Sequence, residues 1–476
     1  MCSPHLLLVL SLISCFNIVI FFLYVDAISI SNNTGVWFEL IHRHSHKLKT
    51  EDNLLGPPKN RSDRIRQLLE SDNLRQQVIA SQYNRKRRGI SVYDGKETAE
   101  IPIQTGTDIR VAEYFVSFRI GSPRPQKFLL VADTGSDLTW MHCKYRCKGC
   151  PMSSPHRGRV FNGNDSPSFR TIPCSSKMCE DDLIPYQSVA DCPSPELPCI
   201  FDYGYANGYR AIGIFANETV KVGLHSRLKI VLFNVVIGCT VKFIGDSKLD
   251  GVLGLGYSKH SFVVRLAEVF GNKFSYCLVD HLSPTNVRNY LSFGDVKHTK
   301  VQNMQYTELL LDYMNPYYCV NVSGISVDGK MLNIPQEVWN ITGKGGVILD
   351  SGTSMTILAG AAHDTVVNAF KVALANFEKI EIPGIPVKHC FSTEGYNESL
   401  VPRLVFHFAD GAKFQPPIKN YVIDVARDTK CLAFTSGGWP GTTIIGNILQ
   451  QNHLWEFDLG RARLGYAPSS CIISDT

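Results

Sequence analysis

Phe128-Leu-Leu-Val-Ala-Asp-Thr-Gly-Ser-Asp137 runs an apolar stretch into an aspartate and follows it at once with small, hydrogen-bonding residues. Gly346-Val-Ile-Leu-Asp-Ser-Gly-Thr-Ser354 repeats the pattern, which sets Asp133 and Asp350 217 positions apart. One Asp-Thr/Ser-Gly triplet reads as a turn, because aspartate and glycine both suit tight backbone geometry. Two copies, each closing an apolar strand and each continuing with Ser or Thr, imply two similar lobes that deliver one carboxylate apiece to a shared site.

The residue types around the aspartates fit that reading. Gly135 and Gly352 allow a tight turn that brings amides near the carboxylates. Thr134 and Ser351 are expected to hydrogen-bond across to the opposite loop, and Ser136 and Thr353 to donate to the outer carboxylate oxygens. Two carboxylates at hydrogen-bonding distance do not both ionise easily, so they share one proton. The charged member then serves as general base on a water held between them, while the protonated member polarises a carbonyl.

A length of 476 residues exceeds one compact core and suggests two domains after processing. Hydrophobic content of 44% and charge of 19% exclude a disordered or fibrous chain. The formal charge of +5 is not a nucleic-acid footprint: residues 28–100 hold 13 basic and 9 acidic residues, and the rest from 101 holds 35 and 33. No H-E-x-x-H or Gly-x-Ser-x-Gly motif occurs, so neither that metal site nor that serine nucleophile is expected.

Along the chain, Leu6–Tyr24 is almost wholly apolar and ends at Val25-Asp-Ala27 with the small residues a signal peptidase accepts. Residues 1–27 are read as a signal peptide in preference to an uncleaved anchor, although the segment lacks a basic start. Residues 28–100 are polar, basic and free of cysteine, and are read as a removable pro-segment in preference to a flexible linker, with its end between 88 and 101. Ser62–Ala80 has helical features, with Ser62 as candidate N-cap and Ile65, Leu68, Leu69 and Leu74 as its apolar positions. Arg85-Lys-Arg-Arg88 is the densest basic run. A basic segment can lie across a carboxylate-lined cleft at neutral pH and leave when the carboxylates protonate.

From Ile101 the pattern is β, with short apolar strands separated by Gly, Asn and Pro, and helices only near Ser261–Phe270 and Ala361–Phe377. Residues 101–300 are assigned to an N-terminal lobe and 301–476 to a C-terminal lobe. Thirteen of the fifteen cysteines follow position 140. In an exported chain they read as disulfides, with Cys319 left over as a small core hydrophobe. Cys143, Cys147 and Cys150 beside His142 have a spacing that would also suit zinc, but disulfides are preferred and no metal is expected. Sequons at Asn164, Asn217, Asn321, Asn340 and Asn397 fit surface loops of a glycoprotein.

Taken together, Tyr114-Phe with Ile120-Gly-Ser-Pro123, Asp133-Thr-Gly-Ser-Asp-Leu-Thr-Trp140, Asp250-Gly-Val-Leu-Gly-Leu-Gly256, Asp350-Ser-Gly-Thr353, Ile444-Ile-Gly-Asn-Ile-Leu-Gln-Gln451 and Arg463-Leu-Gly-Tyr-Ala-Pro468 resemble a pepsin-like aspartic protease, and more narrowly the plant nepenthesin-like branch. The resemblance covers about Glu113 to Cys471. It implies a mostly β, bilobal fold with the active-site cleft between two β-rich lobes, and catalytic roles for Asp133 and Asp350. An apolar-apolar-Gly loop beneath each aspartate is implied at Val252-Leu253-Gly254 and Ile444-Ile445-Gly446. A hairpin flap is implied too, with Tyr205 as the flap tyrosine and Trp140 as its partner; the same residues also read as an ordinary hairpin turning at Asn207-Gly208. Ala206 and Tyr209 depart from the family's flap pattern, which touches substrate choice.

The expectation is a secreted endopeptidase made as a zymogen, acting on proteins or peptides at acid pH without a cofactor. It is expected to be monomeric and to bind neither nucleic acid nor membrane stably. The apoplast is its expected destination, with the vacuole as the alternative. The rival is a catalytically weak or inactive binding or inhibitor protein on the same fold. A second rival is a surface ectodomain held by an uncleaved N-terminal helix.

Overall fold

The computed structural model describes residues 36–42, 60–69, 72, 75–76, 114–146, 158–183, 192, 194–204, 210–223, 229–244, 249–279, 289–294, 303–382 and 389–471. The expected signal peptide, the basic run 85–88, Leu74, Cys147, Cys150 and the hairpin tip 205–209 lie outside them.

The fold is mostly β and bilobal, of the pepsin-like kind. Each lobe positions its aspartate with the same small unit. In the first, Gln126–Asp133 pairs antiparallel with Tyr114–Ile120 and parallel with Gly251–Gly254, so that Gly254 lies opposite Asp133. In the second, Val347–Asp350 pairs parallel with Thr443–Gly446 and Gly446 lies opposite Asp350. Val347-Ile-Leu-Asp350 is buried at every position. A short apolar run of this kind suits a strand covered on both faces, and the continuous pattern follows from that.

An antiparallel sheet joins the lobes. Its strands run in the order Tyr114–Ile120, Val36–His42, Asn289–Phe293, Lys273–Cys277, His453–Asp458, Arg463–Pro468 and Gln305–Leu310. Aromatic side chains fill its centre, with Phe274 stacked on Phe457 at 4.6 Å and Tyr318 edge-on to Phe457 at 4.6 Å. Val36–His42 comes from the segment read as removable, yet it is an interior member, with Leu40 opposite both Asn289 and Val116.

Two expectations need correction. The strands are not uniformly short: Arg210–Gly223 and Lys229–Ile244 form a hairpin of 14- and 16-residue strands. Register shifts at Ile212/Gly213 and Glu218/Val220 let it bend, so apolar alternation breaks along it and disguises its length. The second long helix ends at Ala373 rather than near Phe377, with Leu374 as its C-cap. The helix Phe262–Val269 starts where expected, with Ser261 accepting from the Val264 N–H.

The helix of residues 61–69 begins one residue before Ser62. Asn60 is the cap, its side chain accepting from the Asp63 N–H at 2.8 Å, while the Ser62 hydroxyl donates to the Val425 carbonyl. Ile65, Leu68 and Leu69 pack with Met355, Ile423, Val425, Cys431, Ala433 and Ile448 of the second lobe. Burial of three such side chains contributes about 1.5–3 kcal/mol each to holding the helix there.

Candidate active site

Asp133 and Asp350 end parallel-paired strands that the lobe cores hold from both sides, and both are buried, at 2% and 0% exposure. Their surroundings are matched. The Gly135 N–H donates to Asp133 Oδ1 and the Gly352 N–H to Asp350 Oδ1, each at 2.9 Å. The Ser136 hydroxyl donates to Asp133 Oδ2 at 2.7 Å and the Thr353 hydroxyl to Asp350 Oδ2 at 2.6 Å. Between the loops, the Thr134 N–H donates to the Ser351 hydroxyl and the Ser351 N–H to the Thr134 hydroxyl.

The glycines are required by the approach of the two loops. A Cβ on Gly135 would stand 2.8 Å from Asp350 Oδ1, and one on Gly352 would stand 2.5 Å from Asp133 Oδ1. Any side chain at either position would push the opposite carboxylate away.

Arg75, which the sequence did not single out, fills the space between the aspartates. Its Nε donates to Asp350 Oδ2 at 2.5 Å, its Nη2 to Asp350 Oδ1 at 2.8 Å, and Nη2 also to Asp133 Oδ1. Burial disfavours the charged guanidinium, but the two carboxylates outweigh it and hold the charge in place. Burial likewise pushes the Asp350 carboxyl above the ordinary carboxylate range; Arg75 opposes this and the Asp133 charge adds to it. One turn earlier, Asp72 accepts from the Ser354 and Met355 N–H groups at 2.7 and 2.5 Å. The signal that could have found both residues is spacing: 65, 68, 69, 72, 75 and 76 lie on one helical face.

The other expected positions divide. Trp140 is buried and stacks on Phe243 with ring centroids 5.6 Å apart. Gly204 pairs with Arg210, so the strands flanking the expected flap do form a hairpin, but Tyr205 itself lies in the tip outside the described residues. Asp137 is buried, with Tyr203 and Ser258 beside its carboxylate, and burial pushes it up to about 6. Asn164, Asn321, Asn340 and Asn397 are exposed, whereas Asn217 is half-buried in the middle of strand Arg210–Gly223 and not in a loop.

Disulfides join Cys143 to Cys239, Cys174 to Cys192, Cys179 to Cys199, Cys277 to Cys471 and Cys390 to Cys431. Cys143 is thus tied to a distant strand. The one close cysteine cluster among the described residues, Cys174, Cys179 and Cys192, is made of sulfurs already in disulfides. Cys319 is buried and takes part in none of these disulfides, as expected.

Residues 114–295 match the family model described as xylanase inhibitor N-terminal, and residues 317–468 match xylanase inhibitor C-terminal. Aspartyl protease family protein 2 of Arabidopsis thaliana is 34% identical over 75% of this chain and 71% of its own length. The chain belongs to the plant family of pepsin-like aspartic proteases. Within that family it is also 30% identical to aspartic proteinase nepenthesin-2 of Nepenthes gracilis, over 81% of this chain and 84% of the relative. Among solved structures, edgp matches with a TM-score of 0.61 at 19% identity, covering 76% of this chain and 93% of that one. Soybean basic 7S globulin matches at 0.58 and 17%, covering 75% and 92%. At those identities the structures speak to the fold alone.

Proposed function

We propose that this chain is an aspartic endopeptidase made as a zymogen, with Asp133 and Asp350 as the dyad that activates water. The observation that carries the reading is the matched bracing of two buried carboxylates, with an arginine from residues 28–100 set between them. In the mature state the arginine is gone, and two like charges that both reached one guanidinium nitrogen favour a pair that holds one proton. The ionised member takes a proton from a bound water as it attacks the peptide carbonyl, and the protonated member donates to the carbonyl oxygen. The proton taken from water then passes to the amide nitrogen as the C–N bond breaks, and one hydroxyl of the adduct returns its proton to the dyad. The Ser136 and Thr353 hydroxyls and the glycine amides hold both carboxylates in place through the cycle, so no covalent intermediate is required.

A dyad that needs one proton works in acid. Acid also removes the negative charge that holds Arg75, which couples activation to the pH of action. The extended substrate is a protein or peptide chain, closed over by the hairpin that carries Tyr205, and no cofactor enters any step. Five disulfides among the described residues support export, to the apoplast or the vacuole. No described helix is long and apolar enough to cross a membrane.

A second reading, a binding or inhibitor protein without catalysis, is favoured by the xylanase-inhibitor description of the matching family models. Retention of both aspartates, with every hydrogen bond that orients them, favours the enzyme. The deciding experiment is digestion of a denatured protein by acid-treated chain at pH 3 to 7, beside Asp133→Asn and Asp350→Asn. Acid-dependent cleavage lost in both variants is the expected result. An inactive wild type with a trimmed N-terminus would overturn it in favour of the binding protein.

A further inference from the structure

Arg119 stands opposite Lys127 in the antiparallel pair of Tyr114–Ile120 with Gln126–Asp133. On the other side Ile120 pairs with Val220, which brings Arg119 level with Lys221, and Lys221 in turn stands opposite Val231. Four adjacent strands thus set Lys127, Arg119, Lys221 and Val231 in one row, about 4.8 Å from strand to strand. The row lies on the outer face of the sheet. Phe118 and Ile120 flank Arg119, Val220 and Val222 flank Lys221, and Phe128 follows Lys127; all five face the main core, so the alternating positions face away from it.

Like charges directly opposite one another across strands cost stability. The strands themselves offer nothing acidic in return. They carry six basic residues and two acidic ones, Asp133 and Glu218. Asp133 belongs to the dyad, and Glu218 is buried, accepting from the Ser168 hydroxyl and the Thr219 N–H. Arg119 and Lys221 meet no carboxylate among the described residues, and Lys221 donates to the Pro123 carbonyl. Arg124, in the turn beside it, adds a further exposed cation. The apolar end of the row is open as well: Val231 is 39% exposed, and Phe233, two residues on, is 65% exposed.

We infer that this row is a docking surface for a linear polyuronate, an acidic polysaccharide with a carboxylate on each sugar ring. Three side chains abreast on a sheet stand apart and do not converge on a point. A small anion would engage one or two of them, whereas a chain of anions laid across the strands engages all three through charge-assisted hydrogen bonds. The C–H faces of the sugar rings are apolar and suit Phe233 and Val231, which offer no hydrogen bond. An acidic peptide supplies the charge without those ring faces. Lys127 opens the strand that Asp133 closes, about 20 Å along it. Docking is therefore separate from cleavage and does not depend on the reading of the dyad.

The test is equilibrium binding of the full chain to soluble, de-esterified polygalacturonate at pH 6.5 and low salt, beside the fully methyl-esterified polymer, polyglutamate and duplex DNA. Polygalacturonate is expected to bind most tightly, with an affinity that falls as salt is added. Arg119→Gln combined with Lys221→Gln should weaken it about tenfold, the scale of two exposed ion pairs. The melting point of that double variant should equal or exceed that of wild type, because repulsion along the row is relieved, which separates lost binding from lost folding. Phe233→Ser should weaken binding to polygalacturonate and leave binding to polyglutamate unchanged. Equal binding to polyglutamate or DNA would overturn the assignment to a polyuronate and leave a general cationic surface. No binding of polygalacturonate, or binding that the double variant does not change, would overturn the row as a docking surface.

Discussion

Thr134 and Ser351 exchange hydrogen bonds across the lobe boundary, each backbone N–H donating to the other's hydroxyl at 3.0 and 2.8 Å. Ser351 also donates to the Ala132 carbonyl at 3.1 Å, so its hydroxyl is used twice. Ser351→Ala leaves the buried Thr134 N–H without its acceptor, a loss of about 1–3 kcal/mol. The expected outcome is a melting point lower by several degrees and a fall in kcat larger than any change in KM, because the dyad loses register while the cleft persists. Ser351→Thr, which keeps a hydroxyl, should recover most of both in thermal melts and steady-state kinetics.

Arg75 should act as a pH-dependent latch. It stays charged throughout, so its hold weakens as pH falls through the range in which the dyad takes up a proton. Burial raises Asp350, which places that loss at a higher pH than an exposed aspartate would give. In Arg75→Gln the charge attraction is absent at every pH. Release of the N-terminal segment, followed by gel and N-terminal sequencing across pH 3 to 7, should then begin at higher pH than in wild type. Release at an unchanged pH would mean that the packing of Ile65, Leu68 and Leu69, and not the ion pair, keeps the segment in place.

Asp137 gives the folded chain an acid preference of its own. Burial raises its folded value to about 6 from 3.8. The advantage of the protonated form is fully present below about 4 and is lost as pH rises through about 6, an effect of about 3 kcal/mol. Thermal midpoints should therefore fall between pH 4 and 6 as pH rises. Asp137→Asn should flatten that slope, and an equal slope in both proteins would assign it to other groups.

Asn217 sits opposite Arg170 on one side and Val236 on the other, within a strand paired along both edges. Its side-chain oxygen is shielded from solvent. The half-buried side chain leaves little room for a glycan, so glycopeptide mass spectrometry of the folded protein should find this sequon empty. Asn164, Asn321, Asn340 and Asn397 are exposed and can carry glycans.

The two Asp-Gly loops were legible because everything that shapes them is local: an apolar strand, an aspartate at its end, a glycine that permits close approach, and a hydroxyl within three residues. The helix of residues 61–69 was legible for the same reason, through Ile65, Leu68 and Leu69. Extending that face by one turn reaches Asp72 and Arg75, but a charged residue on a helix normally belongs to water. Their burial makes sense only with partners 58 to 283 positions away, and no window along the chain contains those. Asn60 was missed as a cap because Ser62 is an equally good cap residue, and the choice falls to the Val425 carbonyl, which engages the Ser62 hydroxyl from the other lobe. The long hairpin was hidden by its own register shifts.

The strand Val36–His42 separates Asn289–Phe293 from Tyr114–Ile120 in the sheet that joins the lobes. Cutting the chain after residue 88 breaks no hydrogen bond of that strand, so processing by itself need not expel it. With a second cut between residues 42 and 60, the strand would remain as a small second chain, held by its ladder and by Val36, Phe38 and Leu40, while the helix that carries Arg75 departs. A chain begun at Ile101 would have to close the same sheet with an interior strand missing, and its yield on refolding should recover when a peptide spanning 36–42 is added. Residues 36–42 would then be a part that the joining sheet needs in order to assemble, and not only a segment to be removed.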